Sequence, residues 1–179
     1  MDIGSRRGHF VPAVQAGLLT GVVIHWTAGA DGVNGLEKDS YNYIVGRDGK
    51  VTEGNFPLTA QIAPIRPGKY AAHALNANSG RVGVSMDAMA GANERPFRAG
   101  SNPITKIQLE ETARLVAAIN RACGIKVTRR TNLTHAEIQR TLGIRQNNKW
   151  DVTWIPGMDK PGDPIEVGDV IRKMISGYM

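Results

Sequence analysis

The run Gly21-Val22-Val23-Ile24-His25-Trp26 leads directly into the small-residue stretch Thr27-Ala28-Gly29-Ala30. β-Branched residues at this density, in a run too short for a helix, predict a buried strand. The strand ends on a histidine, and the loop beyond it has no bulk. A side chain at such a strand end is rigidly held and still reachable by a ligand. Two readings of His25 stand open on this run alone. One is a core histidine bonded to a backbone carbonyl, which is the commoner case, and the other is a metal ligand.

Working outward, Tyr41-Asn42-Tyr43-Ile44-Val45 predicts a second strand. Asp48-Gly49 is a hairpin turn signal, and Val51-Thr52-Glu53 begins the return strand. Val82, Val84 and Met86 alternate with Gly83 and Ser85, as on a strand with one apolar face. Thr105-Lys106-Ile107-Gln108 is a capping box, followed at helical spacing by Leu109, Ala113, Val116 and Ile119 and closed by Gly124. Cys123 falls in the last turn as a small apolar group. Thr134 is placed to cap a short helix from His135 to about Arg140. Asp163-Pro164 starts a last helix, whose stripe Val167, Val170, Ile171, Met174 and Ile175 predicts core packing. Most of the 21 glycines precede residue 101, so short strands and turns crowd the first half and helices the second. The expected class is α/β, a central mixed β-sheet flanked by helices.

A chain of 179 residues suits a single domain, and such a domain buries roughly 70% of its unfolded surface without disulfide staples. One cysteine excludes both a disulfide scaffold and a Cys-rich zinc finger. The net charge of +6 favours anionic partners, among them acidic wall polymer. The charge is scattered, with Arg6-Arg7 and Arg129-Arg130 the densest runs, and 6% aromatic residues give no interleaved patch. Nucleic acid is therefore not an expected partner. No run approaches the ~20 apolar residues of a membrane helix. The N-terminal stretch, with Asp2, Pro12 and Gln15, makes a poor signal peptide, so synthesis without an export signal is expected.

The four histidines are His9, His25, His73 and His135. His135-Ala136-Glu137 matches half of a zinc deaminase signature, but the paired cysteines it requires are missing. His-Glu-x-x-His is absent as well. What is left is a dispersed site whose ligands come from separate elements. Catalytic zinc keeps three protein ligands and one open position, and two histidines with one carboxylate fit that pattern.

Taken in order, several motifs resemble the N-acetylmuramoyl-L-alanine amidase family, the zinc amidase fold shared with peptidoglycan recognition proteins and phage endolysins. They are Val23 to Gly29, Ser40 to Val51, Ala71-Ala72-His73-Ala74, Asn78 to Val84, the Thr105 box, Thr134 to Glu137 and Lys149-Trp150-Asp151. The match covers residues 20 to 155 of a single catalytic domain, with an N-terminal extension over 1–19 and the last helix over 163–178. The resemblance implies Zn2+ on His25, His135 and Asp151, with Asp159 and Asp163 as rival third ligands. An inserted loop, Gly143 to Asn148, accounts for the long gap before Asp151.

It also implies hydrolysis of the amide between N-acetylmuramic acid and L-alanine. Lys149 would stabilise the oxyanion and Tyr41 would hydrogen-bond the water. Substrate contacts fall on His73, Trp26 and Thr27, although Ala72 stands where the family has a tryptophan. His9 lies outside the match and reads as a surface residue. The expected partner is peptidoglycan or a muropeptide, met by a monomer with no stable membrane insertion. The expected role is that of an endolysin held in the host cytoplasm until a holin-type lesion releases it. A recycling amidase, a secreted effector and a non-catalytic peptidoglycan-binding module are the alternatives.

Overall fold

Period-2 alternation along the first strand, β1 (Gly21–Trp26), sorts the molecule into two faces. Val22, Ile24 and Trp26 join the large core cluster on one side, while Val23 joins a smaller cluster with Ala74, Ala77 and Ile138 on the other. His25 shares the second face with Val23. The computed structural model describes residues 9–179, and Arg6 and Arg7 lie outside them.

β1 pairs in parallel with β4 (Arg81–Met86) on one side and β5 (Asn132–Thr134) on the other. β4 pairs in parallel with β2 (Tyr43–Val45), and β2 pairs antiparallel with β3 (Val51–Glu53), giving the order β3-β2-β4-β1-β5. The sheet is mixed, and its parallel centre is covered on both faces. That corrects the expectation for residues 82–86. Gly83 and Ser85 are as buried as Val82 and Val84, because β4 lies in the middle of the sheet.

The large core lies under two helices, α2 (Lys106–Cys123) and α4 (Pro164–Ser176). In the Thr105 box, the Thr105 hydroxyl accepts from Gln108 N–H at 3.0 Å and Gln108 reaches back to Thr105 N–H at 3.3 Å. Gly124 closes α2 in the left-handed region. Asp163 caps α4, accepting from Ile165 N–H and Glu166 N–H. Val167, Ile171 and Ile175 of the α4 stripe are buried, but Val170, at its margin, is 48% exposed.

Two local expectations shift. A short helix, α1 (Gly35–Ser40), stands before β2, started by a reciprocal box between Asn34 and Glu37. Tyr41 is its C-cap, so β2 begins at Tyr43. After β5 the chain makes a 3-10 turn, His135–Glu137, before α3 (Ile138–Leu142), which ends at Gly143 with positive φ. Among the described residues no helix is long and apolar enough to cross a membrane.

Candidate metal centre

Two parallel strands deliver two histidines at their carboxyl ends, where open α/β sheets place their binding sites. His25 is the penultimate residue of β1, and His135 follows β5 directly. Asp151 comes from the segment after α3, fastened to the 3-10 turn where Ala136 N–H donates to the Asp151 carbonyl at 2.6 Å. All three side chains are buried. His25 Nδ1 stands 3.0 Å from Asp151 Oδ2, and His135 Nδ1 stands 3.1 Å from the same oxygen. Their ligand atoms all lie within 4.8 Å of one another.

Hydrogen bonds on the outer side of each ring decide what faces inward. Gln146 donates through its amide nitrogen to the Leu75 carbonyl at 2.7 Å, which turns its oxygen toward His135 Nε2 at 2.8 Å. His135 Nε2 therefore carries a proton. His25 Nε2 lies 3.1 Å from His73 Nδ1, and His73 Nε2 donates to the Arg81 carbonyl at 3.1 Å. His73 Nδ1 is thus the acceptor, and His25 Nε2 the donor. Both Nδ1 atoms are left facing a carboxylate.

Burial, above all, lowers the His25 imidazole to about 4 against the pull of Asp151. Burial alone would raise Asp151, but His135 and His25 hold it down to about 2. At neutral pH the His25 lone pair and the Asp151 carboxylate converge with His135 Nδ1 on one point, which only a cation can occupy comfortably. Zinc bonds of ~2.0–2.1 Å place tetrahedral neighbours roughly 3.3 Å apart, close to the 3.0 and 3.1 Å that separate the two Nδ1 atoms from the Asp151 oxygen. The donor set, two imidazoles and a carboxylate with the outer nitrogens already committed, fits zinc.

The remaining candidate residues separate into rim and interior. Lys149 is exposed and lines one cavity with His73, His135 and Gln146. The Tyr41 ring lies 5.2 Å from that of His25. Burial, then the charge of Asp151, raises the Tyr41 phenol, so it stays protonated. His73 and Trp26, expected as substrate contacts, are both largely enclosed, and His73 lines the cavity at the centre. His73 is 7% exposed and bonded to His25, while Trp26 is 5% exposed and packs edge-on against Trp150 at 4.7 Å. Thr27 shapes its own loop by accepting from Gly29 N–H at 3.0 Å. Asp163 is engaged as a cap and in an ion pair with Arg140. Asp159 is exposed and stands outside the convergent group. His9 is half-buried, with Nε2 3.2 Å from Glu111 Oε2. Gln146 was not foreseen. It sits in a polar loop with no local signal, and its role arises from a contact with Leu75, 71 residues away.

The profile of the N-acetylmuramoyl-L-alanine amidase family matches residues 15–158. Among curated proteins no sequence matches significantly. Among solved structures, the Staphylococcus aureus hydrolase AmiA, in complex with its ligand, is similar in fold. It aligns at TM-score 0.56 and 10% identity over 96% of this chain and 84% of that one. The endolysin N-acetylmuramoyl-L-alanine amidase LysCS from Clostridium intestinale URNW aligns at TM-score 0.49 and 15% identity, over 92% and 97% of the two chains. A profile that takes in both strand-end histidines and Asp151 leaves one conclusion: the chain belongs to the N-acetylmuramoyl-L-alanine amidase family and is a peptidoglycan amidase.

Proposed function

We propose that this protein is a zinc-dependent amidase that cuts between N-acetylmuramic acid and L-alanine, with the metal held by His25, His135 and Asp151. The observation that carries this reading is the convergence of two Nδ1 atoms on one carboxylate oxygen, at 3.0 and 3.1 Å, with both Nε2 atoms committed outward. Zinc bound there supplies a Lewis acid that polarises a carbonyl and brings the pKa of a water to ~7. Lys149, at the rim of the same cavity, offers its ammonium to the negative charge that develops on the carbonyl oxygen. Tyr41, protonated beside His25, can orient a water by hydrogen bonding. Lys149 also lines a second cavity with Arg95, Trp150 and Thr153.

The role we infer is that of an endolysin, made in the host cytoplasm and released to the wall. Its net charge of +6 suits a substrate layer rich in anionic polymer. Digestion of intact sacculi and of soluble muropeptides, followed by mass spectrometry, tests both parts. The expected products are a free lactyl carboxyl on the sugar and a peptide with a new L-alanine amino terminus, formed from intact sacculi. Activity on soluble muropeptides alone would replace the endolysin role with recycling. Wall binding without either product would overturn the enzymatic reading.

A further inference from the structure

Glycine weakens the interior of a strand, and where it persists it marks a place that another group approaches closely. Gly83, in the middle of β4, is such a place. A Cβ there would stand 2.5 Å from Cδ2 and 2.6 Å from Cγ of His73. The imidazole of His73 therefore occupies the space that a side chain at 83 would need.

The backbone that carries this ring, and the carbonyl the ring bonds, are held in place as well. The backbone N–H groups of His73 and Ala74 donate to Asn78 Oδ1 at 3.0 and 2.8 Å. Gln61, fully buried, accepts from Ala71 N–H at 2.9 Å and donates to the Ala71 and Arg81 carbonyls at 3.1 Å each. The Arg81 carbonyl can only accept, so it pins the His73 proton on Nε2. His73 Nδ1 must then accept from His25 Nε2. A buried histidine held this tightly and turned with a lone pair toward one particular ring does more than fill space.

We propose that His73 is a positioning residue of the metal centre, holding His25 in the tautomer and ring plane that present Nδ1 to the metal, and that Gly83 stays bare to seat the His73 ring. The proposal gives His73 a role besides the substrate contact expected of it, and it rests on the zinc reading above. Partners of this kind set the tautomer and basicity of a ligating histidine.

Zinc dissociation constants, measured by competition with a chromogenic chelator, test it on four proteins. The wild type is compared with His73→Leu, which keeps bulk but removes the acceptor. His73→Asn keeps an acceptor near the Nδ1 position, and Gly83→Ala keeps His73 but pushes its ring away. His73→Leu should bind zinc about 10–100-fold more weakly. His73→Asn should stay close to wild type, and Gly83→Ala should weaken binding although no polar group has been touched. Long-range proton–nitrogen spectra of the zinc-free proteins, in which no metal fixes the tautomer and the free Nδ1 faces Asp151, give a second readout. His25 should show its proton on Nε2 in the wild type and in His73→Asn, and should lose that pattern in His73→Leu.

Wild-type affinity and an unchanged His25 signal in His73→Leu would overturn the proposal, as would His73→Asn binding as weakly as His73→Leu. If His73→Leu does not fold, the other two variants decide. Weak binding by His73→Asn, or undiminished binding by Gly83→Ala, rejects the role. A wild type that binds no zinc overturns the metal reading itself, which is a different result from a wild type and a His73→Leu variant that bind equally.

Discussion

Asp151 is the one carboxylate among three converging side chains, and its charge gives the metal-free protein a defined response to acid. His25 is pushed down to about 4 from 6.5, chiefly by burial, so between those values the unfolded chain holds a proton that the folded chain does not. Stability then rises with pH across that window. Asp151, held near 2 against an ordinary 3.8, adds the same sign at lower pH. The melting temperature of the chelated protein should fall as pH is lowered from 6.5 towards 4 and fall further towards 2. A flat profile across both windows would contradict these environments. Lys149 makes a different prediction, because it lies on the rim and is not among the converging ligands. Lys149→Ala should retain zinc, measured as metal content, and lose about 10²–10³ in kcat. Loss of zinc instead would mean that Lys149 supports the centre and not the reaction. At this scale the sequence showed the two strand-linked histidines and Lys149-x-Asp151. It could not show Gln146 or the inward turn of His73, because both are set by partners in other segments, Leu75 and His25.

At the scale of elements, α4 holds the 3-10 turn that carries His135. Arg172, from α4, donates two hydrogen bonds to the carboxylate of Glu137, at 2.8 and 3.0 Å, and a third to the Asn132 carbonyl at 2.8 Å. Glu137 is fully buried, and in turn accepts from Thr134 N–H at 2.7 Å. Burial raises the Glu137 carboxyl while Arg172 works against it, so removing one partner leaves an uncompensated group. Arg172→Met should cost about 3–5 kcal/mol in denaturant unfolding, and the double change Glu137→Leu with Arg172→Met should recover most of it. A single variant as stable as wild type would show that the pair is not needed to hold the turn. The elements themselves were legible where a local signal exists: the β-branched run of β1, the Asp48-Gly49 hairpin, the Thr105 box and the Asp163-Pro164 start. α1 was missed although Asn34 and Glu37 form the same reciprocal box, because Gly35 follows the cap and the helix has only six residues. The late start of β2 follows from that omission.

For the whole molecule, the class of fold was readable from alternating strands and helices, but the strand order was not. Nothing in Asn132–Thr134 says that it pairs with β1 and not with β3, yet that pairing brings His135 beside His25. The centre therefore exists only in the assembled sheet, and an ion bound to it should stabilise the fold as a whole. At a free zinc concentration of a thousand times Kd the gain would be about 4 kcal/mol. The most direct test of the account is peptide release from a purified muropeptide by chelator-stripped protein, with and without one equivalent of zinc, for the wild type and for Asp151→Asn. The account predicts no release by the stripped protein, recovery on adding zinc to the wild type, and no recovery in the variant at that zinc level. Undiminished release by the stripped protein, or full recovery by Asp151→Asn, would contradict it.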